Sequence, residues 1–350
     1  MANDTKFPLY SLQNVLIDSG NLVLGSFLGH GAHGAIYQAT SLQKWQRSSF
    51  LVSPSAAASP VLAIRRLQKK RPPAPSITKI RYAVKAVFSS AGETEAHLHS
   101  RASGHRGILT LHRVIREGPF MYFVLDLCPS GDLFEAVSRR VYFQNVQAIK
   151  SIFLQLIDAV EHCHVLGIFH RDLRLENILL KNEVGEPPHI VLSDFGLATE
   201  EIWARDRTGS QMYMSPEHLG RYGPTIEDYD CAANDIWAMG VIFVILILGN
   251  CAPWAMASDA CPVFHNYTHN TRDFFARRHG MTVETNALMT RIFELNPPRR
   301  ISLTELRPTI HALNEFTDIA VQGEHDRAVL SNPPEDERHR FFQPGLGTGN

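Results

Sequence analysis

Two short stretches in the middle of the chain hold side chains of the types and spacing that phosphoryl transfer requires. His170 to Asn177 reads HRDLRLEN and puts an aspartate, Asp172, and an amide, Asn177, on one short loop. Downstream, Asp194-Phe195-Gly196 adds a carboxylate able to share a divalent metal with that amide. Such chemistry needs one group to orient a hydroxyl and oxygen ligands to hold Mg²⁺ on phosphates. An aspartate of ordinary pKa is a weak base, so Asp172 would serve chiefly by alignment and late proton capture. As an isolated residue it also reads as a turn former, but Arg171, Asn177 and the second stretch make that the lesser reading.

Elements upstream have to deliver a nucleotide to this loop. From Asn21 the apolar residues alternate through Leu22, Leu24 and Phe27, a strand pattern that runs into Gly29-His30-Gly31-Ala32-His33-Gly34. Gly29, Gly31 and Gly34 let backbone N–H groups approach phosphate oxygens with no Cβ in the way. The spacing also suits an ordinary hairpin turn, or a dinucleotide-binding fold if a helix follows at once. Ala35 to Ala39 are β-compatible instead, so the pattern predicts two antiparallel strands closing over phosphates.

Arg81 to Val87 alternates as a strand and carries Lys85 in apolar company. That lysine is either the exposed member of a strand or a cation held over the nucleotide by a helix glutamate, and its place after the glycine loop favours the second. Glu93 and Glu95 are the candidate partners, Glu95 the favoured one, on a helix expected to be short because Gly92 weakens its start. A further strand is expected from near Ile108. Met121 to Leu127 forms an apolar strand ending at Cys128-Pro129-Ser130-Gly131, a crossover where backbone groups of Asp126 and Cys128 could take an adenine. Asp132 either sits near the ribose or caps the helix starting at Leu133, and the two roles are compatible. Residues 144–165 have helical spacing, and His162, Cys163 and His164 point to different faces of that helix, which argues against a metal site.

Composition bounds the partners. The 350 residues are 44% hydrophobic and 20% charged with a net charge of -1, so no global basic field recruits nucleic acid or anionic membrane. Five cysteines, odd in number and without a C-x-x-C pair, argue against a disulfide framework and for a reducing compartment, cytoplasmic or nuclear. The N-terminus carries charge before any apolar run and does not read as a secretory signal, while the longest apolar run, Val241 to Leu248, is far short of the roughly 20 residues that span a bilayer. Residues 41–80 read as an insertion rich in Ser, Ala and Pro; its basic stretch from Arg65 to Arg71 is a solvated charge run or a localisation or docking signal. Residues 1–19 are a packed extension or a loose arm, and 319–350 a polar tail.

The ordered pieces GHGAHG, YAVK, HRDLRLEN, DFG, SPE, DIWAMG and PPRRI resemble the eukaryotic-type protein kinases from about Gly20 to about Leu313. This resemblance implies an α+β bilobal fold, with a small antiparallel-sheet lobe over 20–127 and a larger, mainly helical lobe over 128–318. It implies ATP and Mg²⁺ as cofactors and protein substrates with Ser/Thr acceptors. Lys85, Asp172, Arg174 and Asn177 would be catalytic, with Lys85 and Arg174 at the phosphates and Asp172 on the substrate hydroxyl; Asn177 and Asp194 would hold the metal, and Ile36 and Ala83 would line the nucleotide site beside the glycines, Lys85, Glu95, Asp126, Cys128 and Asp132. Asp235 would brace the catalytic loop and Glu217 would pair with Arg300; Ser302 and Glu305 have capping-box spacing. Arg174-Leu175 departs from the usual Lys-Pro; arginine keeps the charge but brings a planar fork in place of a point charge. Thr208-Gly209-Ser210 before Ser215-Pro216-Glu217 resembles the serine/threonine type. ILTLHRV, VLDLCPSGDLF, GSQMYMSPE and NCAPW are similar to the fungal kinases typified by the fission-yeast meiosis-inhibiting kinase, which implies nutrient, growth or differentiation signalling. A nucleotide-binding pseudokinase or regulatory scaffold is the alternative. The position often phosphorylated in this family falls on Asp206, which either replaces part of a phosphate's charge or is a solvated loop residue. Asp132 and Glu176 would favour basic residues upstream of the target, although Glu176 also suits a local hydrogen bond.

Overall fold

The computed structural model describes residues 7–31, 34–42, 80–182, 187–220 and 228–318. The basic stretch Arg65 to Arg71, nearly all of the expected insertion, Ala32 and His33 of the glycine loop, and the expected tail lie outside the described residues.

The smaller lobe opens with a turn of helix, α1 (Phe7–Tyr10), then β1 (Leu16–Ile17), β2 (Leu22–Gly31), β3 (Gly34–Ser41) and β4 (Arg81–Phe88). Helix α2 (Ser89–Ala102) follows, then β5 (Leu111–Glu117) and β6 (Phe120–Asp126). The strands form one antiparallel sheet in the order β1-β2-β3-β4-β6-β5. Register puts Ile36 opposite Lys85 and Gln38 opposite Ala83. With side chains alternating along a strand, Ile36, Ala83 and Lys85 therefore share one face. The other face buries Ala35, Tyr37, Ala39, Val84 and Ala86 against Leu9 and Leu12. From Leu9 onward the N-terminal extension is thus packed, and its β1 belongs to the sheet.

Two sequence expectations are corrected here. Helix α2 is not short: it runs 14 residues with Gly92 buried inside it. A Cβ at Gly92 would lie 2.7 Å from Val87 Cγ2 and 2.9 Å from Met121 Sδ, so close packing against the sheet selects glycine there. The strand expected near Ile108 begins at Leu111; Ile108 itself makes an isolated parallel bridge to Leu192.

The larger lobe is mostly helical: α3 (Leu133–Ser138), α4 (Val146–Val165), the short hairpin β7 (Ile178–Leu180) and β8 (Ile190–Leu192), the pair β9 (Trp203–Ala204) and β10 (Tyr229–Asp230), α5 (Cys231–Leu248), α6 (Pro262–His269), α7 (Phe274–His279), α8 (Val283–Ile292) and α9 (Leu303–Ala312). Helix α4 buries Ile149, Ile152, Phe153, Leu156, Ile157 and Val160, a repeat of three and four residues that faces the core. Helix α5 is long and apolar enough to cross a membrane, yet 89% of it is buried inside the protein, which marks a core helix. Helix α8 stops at Ile292, and Pro297 and Pro298 open a separate 3₁₀ turn. Ser302 and Glu305 form the expected capping box on α9.

Candidate active site

Lys85 is brought to the cleft by β4 and is met there by groups from two other elements. Its ammonium donates to Glu95 Oε1 of α2 at 2.5 Å and to Asp194 Oδ1 at 2.7 Å. Burial lowers the Lys85 pKa, but the Asp194 and Glu95 carboxylates outweigh it and leave the value raised. Burial likewise pushes Asp194 up, and Lys85 together with the Gly196 N–H overrides this to hold it down at about 2. The pair is therefore fixed as ammonium and carboxylate across the neutral range. Glu93, the other candidate, turns outward to an exposed pair with Arg116.

The catalytic loop is held from below. Asp235, fully buried on α5, accepts the backbone N–H of His170 at 2.9 Å and of Arg171 at 2.8 Å, and His164 Nε2 donates to it at 2.9 Å. Burial would raise the Asp235 pKa, but hydrogen bonding from His164 and the loop keeps it low. Arg171 adopts a left-handed φ of 66° in this turn. Asn177 donates through Nδ2 to the Asp172 carbonyl at 2.8 Å and to Asp172 Oδ2 at 2.9 Å, and its own carbonyl accepts Ser193 N at 2.8 Å and Ser193 Oγ at 2.9 Å. Asp172, Asn177 and Asp194 are thereby tied into one rigid unit.

Above Asp172 lies Ser210, whose Oγ donates to Asp172 Oδ1 at 3.3 Å and accepts from Arg174 Nη1 at 2.5 Å. Arg174 also forks onto Glu176, with Nε 2.9 Å from Oε2. The guanidinium expected to reach a phosphate is thus engaged by Glu176 and Ser210, because its planar fork fits a carboxylate on both prongs. Gly209 has φ 120° and its backbone closes on the loop, where a Cβ would lie 3.2 Å from the Arg171 carbonyl oxygen.

The nucleotide side is formed by the sheet. β2 and β3 register Gly31 opposite Gly34 and Gly29 opposite Ile36, the expected lid hairpin. Gly34 is required by contact: a Cβ there would sit 2.4 Å from the Ala86 carbonyl oxygen. Ala83 and Cys128 pack on the same apolar cluster as Leu125, together with Leu179 from β7, beside the crossover. Burial pushes the Cys128 thiol up to about 11. Asp126 is clamped by His112 Nε2 at 2.7 Å and Lys181 Nζ at 2.8 Å, which pins the crossover to both lobes. Asp132 caps α3, accepting Glu135 N at 2.8 Å, and burial with nearby Glu176 raises its pKa to about 6.

Three contributors escape a reading of the sequence. Leu179 gives no signal beyond a short apolar run, and Lys181 reads as a surface charge. His99 lies four residues after Glu95 on the same helix face; its Nε2 donates to the Leu109 carbonyl at 2.8 Å, and its ring stacks on Phe195 with centroids 4.7 Å apart. Phe195 in turn meets His170 edge-on at 5.2 Å, so α2, the Asp194 turn and the catalytic loop share one stacked column.

This arrangement has a counterpart in known proteins. Residues 76–309 match the protein kinase domain. The chain belongs to the protein kinase family. It is 39% identical over 243 residues to the negative regulator of sexual conjugation and meiosis of Schizosaccharomyces pombe, covering 64% of this chain and 51% of that relative. Serine/threonine-protein kinase ksp1 of the same organism is 31% identical over 280 residues, 77% of this chain and 57% of the relative. A CBL-interacting serine/threonine-protein kinase of Arabidopsis thaliana is 38% identical over 162 residues, 45% of this chain and 35% of that protein. The chain spans about half the length of the first two relatives. The residues present fit the family's metal: Asn177 and Asp194 offer oxygens suited to a hard cation that also binds phosphate.

Proposed function

We propose that this kinase-family chain transfers the γ-phosphoryl group of ATP to serine or threonine hydroxyls of protein substrates. The observation that carries the proposal is the joint fixation of Asp172 and Asn177 by one amide, with Lys85 bridging Glu95 and Asp194 alongside. In the transfer, the substrate oxygen forms a bond to the γ-phosphorus as the bond to the bridging oxygen of ADP breaks. Asp172 orients the hydroxyl and takes its proton late, Lys85 holds the phosphates, and the glycine hairpin excludes water. Mg²⁺, held by Asn177 and Asp194 when bound, supplies neutralisation of charge on the phosphates.

Ser210, seated between Arg174 and Asp172, supports small aliphatic hydroxyl acceptors over tyrosine. Asp132 and Glu176 support a preference for basic residues upstream of the acceptor, since a cation there would offset the cost that burial, and then the Glu176 charge, places on the Asp132 carboxylate. A role in nutrient, growth or differentiation signalling draws support from the fission-yeast relative, named a negative regulator of sexual conjugation and meiosis, and a cytoplasmic or nuclear setting from five cysteines with no C-x-x-C pair. A peptide array carrying Ser, Thr and Tyr acceptors with and without upstream Arg, incubated with labelled ATP, tests the specificity. Label is expected on Ser and Thr peptides; label confined to Tyr peptides would refute it.

A further inference from the structure

We propose that Asp206 is a positioning residue that holds the segment over Asp172 in its substrate-ready shape without phosphorylation, an inference that rests on the phosphoryl-transfer function above. Arg171, next to Asp172, has a side chain only 9% exposed and a guanidinium committed on several sides. Its Nε donates to the Tyr229 hydroxyl at 3.0 Å, and its Nη2 donates to the Asp206 carboxylate and to Thr208 Oγ1 at 3.1 Å. Thr208 Oγ1 in turn donates to Asp206 Oδ2 at 2.6 Å. The cradle therefore joins the catalytic loop, residues 206–208 and β10.

A buried cation needs a counter-charge, and among the described hydrogen-bond partners of the Arg171 guanidinium Asp206 supplies it, since Tyr229 and Thr208 offer neutral hydroxyls. A kinase that waits for phosphorylation leaves such an arginine unpaired until a phosphate arrives. Here the pairing is already made by an encoded carboxylate. Burial alone would raise the Asp206 pKa, but the hydrogen bonds from Arg171 and Thr208 leave it lowered, so the carboxylate stays charged at neutral pH. From Asp206 the chain needs only four residues to reach Ser210, which touches Asp172. Fixing one end of so short a span fixes the other. Thr208 is already occupied between the arginine and the carboxylate, and a phosphate there would face Asp206 as a like charge.

The test uses full-length enzyme treated with phosphatase and checked by mass spectrometry for absence of phosphate on residues 194–217. Dephosphorylated wild type is expected to match the untreated enzyme in kcat. Asp206→Ala and Asp206→Asn are expected to lose between about tenfold and 100-fold in kcat, the scale of small misplacements of a reacting group, with KM for ATP little changed. Asp206→Glu should recover most of the loss, which a merely structural defect would not allow. Full activity in dephosphorylated Asp206→Ala would overturn the proposal. So would a dephosphorylated wild type that is inactive until phosphorylated, an outcome that leaves the kinase function standing. Loss of transfer in every form, phosphorylated or not, would overturn both.

Discussion

His99 puts a polar ring where the buried face of α2 otherwise presents Ala96, Leu98 and Ala102, and its surroundings keep that ring neutral. Burial lowers its pKa to about 4 against the hydrogen bond that it donates to the Leu109 carbonyl, which works the other way. A base whose folded pKa is depressed binds fewer protons folded than unfolded between about pH 4 and 6.5, so stability rises with pH across that window. Acidification from pH 7 to 5 should therefore cost about 2 kcal/mol through this residue alone. Urea unfolding at the two pH values checks it: His99→Leu should show a smaller pH dependence than wild type, and an identical dependence would exclude the residue as its source. Lys85 gives a sharper test of electrostatics. Lys85→Met takes the shared cation from Glu95 and Asp194, and breaking a buried pair costs about 3–5 kcal/mol. Unfolding free energy should fall on that scale in the nucleotide-free protein.

At the scale of elements, α2 and the N-terminal extension control how the lid and Lys85 are presented. Gly92→Ala sets two effects against each other: helix propensity gains about 1 kcal/mol, whereas overpacking against Val87 and Met121 costs about 1–3 kcal/mol. The clash should win, lowering the melting temperature and raising KM for ATP as α2 shifts away from Lys85; a more stable variant with unchanged KM would show that the helix has room there. The extension is tied to β3 by the Tyr37 hydroxyl, which donates to the Leu9 carbonyl at 2.6 Å and accepts from Leu12 N at 3.3 Å. Tyr10 packs edge-on against Phe27 and His30 of the lid strand at 5.9 Å and 6.2 Å. Tyr37→Phe strips a buried carbonyl of its donor, a loss of about 1–3 kcal/mol. Hydrogen exchange should speed up at residues 9–17, and unchanged protection would mean that apolar contacts alone hold the segment.

Across the whole molecule, what the sequence made legible follows from how strictly each part is dictated. Phosphoryl transfer dictates residue types, so Asp172, Asn177, Asp194 and Lys85 stand out, and alternation with a glycine turn suffices for the lid hairpin. What long-range packing decides stayed hidden. Gly92 carries a low helix propensity that says nothing of the Met121 side chain it must accommodate. Leu9 and Leu12 lack a periodic pattern because packing against strands distant in sequence is what buries them. Arg174 kept the expected charge, but its fork found Glu176, a neighbour whose orientation no spacing rule gives. On the proposed function a hydroxyl, a nucleotide and a metal would meet at Asp172, held by the loop that Asn177 and Asp235 fix. Transfer of labelled γ-phosphate from ATP to a serine peptide, with nucleotide binding measured in parallel, tests this most directly. Asp172→Asn should lose at least about 100-fold in transfer rate while binding nucleotide as wild type does. Equal transfer by wild type and Asp172→Asn would contradict the assignment of the site.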